Sequence, residues 1–98
     1  MKIVINDSYG GFDLSEEAQK RYLELGGVPP ELTWYWFNID RTHPALIQTV
    51  EELGMKAAGD YCNLIIEEIP AGTKYTLREY DGAEWIETED DIDWKIAT

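Results

Sequence analysis

Asp81-Gly82, set between two runs of alternating residues, is the strongest local constraint in this sequence. A type I′ two-residue turn needs positive φ at both central positions, which Asp tolerates and Gly adopts freely. It predicts a hairpin of residues 74–80 with residues 83–88 and fixes the register. Leu77 then faces Ile86 on the side turned to the core. Arg78 faces Trp85 on the other side, where a guanidinium near an indole gives a cation–π contact. Glu79 faces Glu84, a like-charge pair that costs stability unless a base lies nearby.

The rest of the chain reads as alternating strands and helices. Lys2 to Asn6 holds β-branched or aliphatic residues at positions 3, 4 and 5. This predicts a strand buried on both faces and internal to its sheet. Ser8-Tyr9-Gly10-Gly11-Phe12 is a glycine turn into a helix that starts near Leu14. Asp13 and Glu16 have capping-box spacing, and Ser15 is the alternative N-cap. Leu14, Ala18, Tyr22 and Leu25 recur at helical spacing as a buried stripe. Gly26-Gly27 ends the helix and Pro29-Pro30 prevents it from resuming. Residues 32–39, aromatic on both faces, predict a second strand. Asp40 to Pro44 turns into a second helix, capped by Thr42 or His43 with Pro44 in the first turn. Its apolar face is Leu46, Ile47, Val50 and Leu53. Gly54 closes it, unless residues 55–58 add a turn. Residues 64–69 are a third strand, stopped by Pro70-Ala71-Gly72. The order β-α-β-α-β-β-β is that of an α+β fold, with two helices on one face of a small mixed or antiparallel sheet. With 98 residues and 44% apolar content, the chain is expected to be one domain over residues 1–98. Residues 89–98 read as an acidic stretch, either a solvated face or a mobile end.

Twenty acidic residues against eight basic ones leave a net charge of -12. The acidity is uneven, with a net -5 over residues 1–60 and -7 over the shorter remainder. Such a field opposes binding to nucleic acid or to an anionic membrane, because both need a basic surface. It favours a basic protein partner. The one cysteine, Cys62, cannot form a disulfide within the chain, which reads as an intracellular protein. The opening apolar run is too short for a signal peptide or a membrane span.

Several residue groups are candidates for function. Glu87, Glu89, Asp90, Asp91 and Asp93 are the densest acidic run, flanked by Trp85 and Trp94. Acids with aromatic anchors suit a partner-binding surface that imitates phosphate spacing. The loop Ser8, Tyr9, Gly10, Gly11 and Phe12 precedes a helix N-terminus. With Trp34 and Trp36 it is the alternative, a small-ligand or nucleotide site. Asp13, Glu16 and Glu17 would repel phosphate there. Trp34 to Phe37 is either core or an exposed aromatic interface. His43 reads as a helix cap and Cys62 as a small buried residue, with no base to activate it. One Cys and one His do not make a zinc site. No cofactor, metal site or catalytic constellation is expected, so the chain reads as a binding protein and not an enzyme.

The strings Lys2-Ile3-Val4-Ile5-Asn6, Tyr9-Gly10-Gly11-Phe12 with Leu14-Ser15-Glu16-Glu17-Ala18, Pro44-Ala45-Leu46, Val50-Glu51-Glu52-Leu53-Gly54, Ile69-Pro70 and Glu79-Tyr80-Asp81-Gly82 carry a resemblance. Together they resemble a family of small acidic proteins of bacteriophages and prophages. Ser8 and Asp13 stand where relatives often have Cys and Gly. The resemblance implies a phage-type accessory protein in the bacterial cytoplasm and brings no catalytic residues with it. With the charge, it suggests an inhibitor of a host defence nuclease or nucleic-acid-handling factor, of the anti-CRISPR or DNA-mimic kind. A homo-oligomer stays open.

Overall fold

Ser15 starts the first helix by accepting a hydrogen bond on its side chain from the Ala18 amide, and Glu16 and Glu17 complement the helix dipole. In the computed structural model, which describes residues 1–30 and 36–88, this helix is α1, Glu16–Glu24. Leu14, Ala18 and Tyr22 are buried along it, as the spacing predicted. Leu25 takes the C-cap and Gly26, at φ 91°, turns the chain out. Tyr22 is enclosed on several sides. Its hydroxyl donates to the Val28 carbonyl at 2.6 Å, and its ring meets Trp36 and His43 edge-on.

The second helix, α2, is Pro44–Leu53, capped by His43, whose Nδ1 accepts from the Ala45 amide at 3.0 Å. Gly54 ends it and a 3-10 turn, Gly54–Ala57, follows. The two helices pack on each other and α2 lies against β1 (Lys2–Asn6) and β2 (Leu64–Glu68). Val4, Phe12, Leu14, Ala18, Tyr22, Trp36, Ile39, Leu46 and Val50 form the core between these layers. The second hairpin is β3 (Tyr75–Tyr80) with β4 (Ala83–Thr88). Its register is the predicted one: Leu77 opposite Ile86, Arg78 opposite Trp85, Glu79 opposite Glu84. Asp81 has φ 52° and Gly82 φ 92°, the positive pair a type I′ turn requires.

The fold is α+β, but it differs from the expected order in two ways. Among the described residues the order is β-α-α-β-β-β, in two separate two-stranded antiparallel sheets, β1-β2 and β3-β4. The strand predicted over 32–39 is, in its described part, a 3-10 turn at Trp36–Asn38, and the rest lies outside the described residues. Tertiary burial overrides the β propensity here. The turn buries Trp36 and Ile39, three apart, while Phe37 stays half-exposed. Asp40 then accepts from the amide and hydroxyl of Thr42, which pulls its carboxyl below the ordinary range and bends the chain into α2.

The second difference concerns β1. It is buried on both faces as expected, yet among the described residues it is paired with a strand on one edge only. Its other edge is closed by single groups. The Val4 amide donates to the Arg41 carbonyl at 2.9 Å, and the Asn6 amide donates to the Glu84 carboxylate at 2.8 Å.

Candidate functional site

Glu84 is the link between the two sheets. Its carboxylate accepts from both terminal nitrogens of Arg41, at 2.6 and 2.9 Å, and both side chains are more than nine-tenths buried. The base that the Glu79–Glu84 pairing demanded is therefore Arg41, contributed by the turn before α2. The guanidinium also donates to the Phe37 carbonyl and lies 3.6 Å over the Phe12 ring. This is the cation–π contact among the described residues. Arg78, expected to stack on Trp85, instead donates to Glu87 at 3.0 Å, and Trp85 donates from its indole to the same carboxylate at 3.3 Å.

Asn6, fully buried at the end of β1, fixes three loops at once. Its amide nitrogen donates to the Ser8 carbonyl at 2.7 Å and the Gly82 carbonyl at 2.8 Å. Its oxygen accepts from the amides of Ser8 and Asn63. Ser8 in turn donates to the Tyr61 carbonyl at 3.2 Å. Backbone approach tightens the assembly. A Cβ on Gly10 would collide with the Tyr61 carbonyl, and one on Gly82 would collide with the Gly11 amide nitrogen.

The three loops so joined carry aromatic and acidic residues at exposed positions. Each carries one exposed tyrosine and one exposed aspartate: Asp7 with Tyr9, Asp60 with Tyr61, and Asp81 with Tyr80. The tyrosines are 66%, 79% and 70% exposed, in chain order. Exposed tyrosines on a fixed frame offer contact area at little entropic cost, and the aspartates supply negative charge. Sequence reasoning found Tyr9 and missed Tyr61 and Tyr80. The repeated Tyr and Asp near turn residues was the signal available.

A cavity of about 510 Å³ opens between the glycine loop and the inner face of the β3–β4 hairpin. Phe12, Phe37 and Leu77 supply apolar walls, Arg41 with Glu84 lies at one side, and Glu79 adds a carboxylate. Leu77 and Ile86 thus face the body as expected but stay half-buried.

Of the residues proposed for partner binding, Trp85 and Glu87 lie on the outer face of β4, with Trp85 exposed. Glu89, Asp90, Asp91, Asp93 and Trp94 lie outside the described residues. Of the alternative ligand set, Gly10, Gly11, Phe12 and Trp36 come together around a second, open hollow of about 640 Å³, with Asp13 on its wall. Trp34 lies outside the described residues. Ser8 and the two glycines also serve chain packing, and Asp13, Glu16 and Glu17 oppose phosphate. The remaining chemistry-bearing residues have structural partners. His43 is the cap of α2. The Cys62 thiol donates to the Asp13 carbonyl at 3.0 Å, and burial pushes its pKa up, away from thiolate. Among the described residues, no cluster of three or more His, Cys, Asp or Glu is placed to hold a metal ion, and no helix is long and apolar enough to cross a membrane.

Compared with known proteins, the chain matches no family model, no curated protein and no solved structure.

The close approach of the turn to the glycine loop gives a direct test. Gly72 and Gly82 have similar φ, 86° and 92°, but a Cβ at Gly72 meets open space. Gly72→Ala should cost about 1 kcal/mol, the backbone strain alone. Gly82→Ala should cost about 2–4 kcal/mol, because the collision with Gly11 adds to the same strain. Urea unfolding of the two variants measures the difference. Equal losses would mean that the hairpin turn does not bear on the loop.

Proposed function

We propose that this chain is a phage-type accessory protein of the bacterial cytoplasm that acts by binding, not catalysis, on a basic host protein such as a defence nuclease or a nucleic-acid-handling factor. One observation carries the reading: three loops, locked together through Asn6, present three exposed tyrosines and three exposed aspartates on a chain of net charge -12. Aromatic anchors give such a contact its lifetime, and the surrounding charge gives it speed and selectivity. That net charge already counts the eight cations of the chain. Lys2, Arg21, Arg41 and Arg78 each hold a carboxylate, on Glu51, Glu52, Glu84 and Glu87. The phage resemblance agrees with this use. A second reading, a small-ligand or nucleotide sponge, draws on the hollow at Gly10, Gly11, Phe12 and Trp36. A nucleotide retained through purification would favour it.

Affinity capture from a bacterial lysate with mass spectrometry identifies the partner, and association rates at two ionic strengths characterise it. Changing Tyr9, Tyr61 and Tyr80 together to Ser should weaken binding at least about tenfold, mainly through faster dissociation. Changing Asp7, Asp60 and Asp81 to Asn should slow association and flatten its salt dependence. Neutralising Glu87, Glu89, Asp90, Asp91 and Asp93 tests the carboxy-terminal acids in the same way. A partner that is not basic, or one that binds all three variants at the wild-type rate and affinity, overturns the proposal.

A further inference from the structure

We infer that the 510 Å³ cavity between the glycine loop and the β3–β4 hairpin is an anchor pocket for an arginine side chain of the basic partner. This rests on the basic-partner reading and names the residue that the site takes. The walls select the chemistry. Phe12, Phe37 and Leu77 are apolar and suit an alkyl stem, which long cationic side chains bury readily. The charged groups around the cavity leave a net negative site. Arg41 and Glu84 neutralise each other through two hydrogen bonds, so Arg41 offers little to an anion. Glu79 remains. One of its oxygens accepts from the Gly82 amide at 2.7 Å, and among the described residues its other oxygen has no partner. That oxygen is available to a guanidinium.

The geometry also has an internal precedent. A guanidinium already lies on Phe12 and meets a β4 carboxylate with both terminal nitrogens in this corner of the protein. An incoming arginine would meet the same classes of partner, aromatic rings and a hairpin glutamate, on the open side. Arginine fits this better than lysine. Its planar, weakly hydrated head stacks on rings and forks onto a carboxylate, whereas an ammonium does neither as well. Gly11 and Gly82 form part of the cavity lining and lie in the loops that carry Tyr9 and Tyr80. The pocket therefore opens beside the backbone of those loops, while Tyr80, like Arg78 and Trp85, alternates to the other face of the hairpin.

The test uses the full chain and three acetylated, amidated glycine-rich peptides that differ at one position: arginine, lysine or citrulline, the neutral isostere of arginine. Amide chemical shifts are followed by NMR. The arginine peptide should shift Gly11, Phe12, Leu77, Glu79 and Gly82 saturably and leave Trp85 unmoved. The citrulline peptide should not, and the lysine peptide should bind several-fold more weakly. Glu79→Gln keeps an acceptor for the Gly82 amide, so the fold should persist, while arginine affinity should fall about five- to tenfold. Shifts scattered over the acidic surface, no saturable shift, equal binding of all three peptides, or an unchanged affinity in Glu79→Gln would each overturn the pocket. The two proposals fail separately. A captured basic partner that is indifferent to Glu79→Gln removes the pocket and leaves the binding function standing.

Discussion

Glu84→Ala should unfold this protein at a temperature lower by at least about 12 °C, a loss of about 3–5 kcal/mol. The change removes the partner of a buried arginine and leaves that charge uncompensated. It also deprives the Asn6 amide of its acceptor. For a domain whose whole stability is about 5–15 kcal/mol, this is a large fraction. Thermal unfolding with circular dichroism measures it. A control separates charge from truncation. Replacing Arg41 and Glu84 together by Met should recover part of the loss, because removing both charges removes the desolvation cost that the single variant leaves behind. A single variant as stable as the parent, or a double variant worse than the single one, would show that the pair does not hold the sheets together.

Asn6→Ala should cost a similar amount, about 3–5 kcal/mol, by a different route. No charge is stranded. Instead the carbonyls of Ser8 and Gly82 and the amides of Ser8 and Asn63 lose their partner together, around a fully buried side chain whose removal also leaves a void. Asn6→Asp distinguishes the two halves of the network. It keeps the acceptor for Asn63 and loses the donor to Gly82. Hydrogen exchange should then show the 81–82 turn loosening before the 60–63 loop. Simultaneous loosening of both in Asn6→Asp would contradict the idea that one side chain holds them by separate bonds.

Local chemistry was legible in the sequence, and distant pairing was not. The β3–β4 register followed from Asp81-Gly82 because a type I′ turn needs only its own two residues. The caps were readable to within two candidates each, Asp13 or Ser15 and Thr42 or His43, and the stripe of Leu14, Ala18 and Tyr22 was readable for the same reason. Arg41 meets Glu84 across 43 positions, and only the demand for a base near Glu79 and Glu84 hinted at it. The aromatic run through Trp36 was misread because its β propensity is real but weaker than the burial of Trp36 and Ile39 on one side of a turn. Gly10 and Gly11 read as a tight strand-to-helix turn, with a ligand loop as the alternative. Sequence could not show that Tyr61 and Gly82 press on them. The joining of the three tyrosine-bearing loops through Asn6 was hidden similarly, since they lie about 20 and 50 residues apart.

The hydrogen bond from the Asn6 amide to the Glu84 carboxylate has a consequence for behaviour in a crowded solution. Ile3-Val4-Ile5 is a short β-branched segment, and among the described residues its second edge is finished by one carbonyl and one side chain in place of a strand. A carboxylate can accept from that edge but cannot extend it, so the ladder stops there. If the hairpin swings away, the Asn6 amide loses its cover, and that end of the edge becomes a template for another copy's strand. Glu84 is thus a guard against pairing of copies through this edge, and how readily they pair on storage depends on how often it lets go.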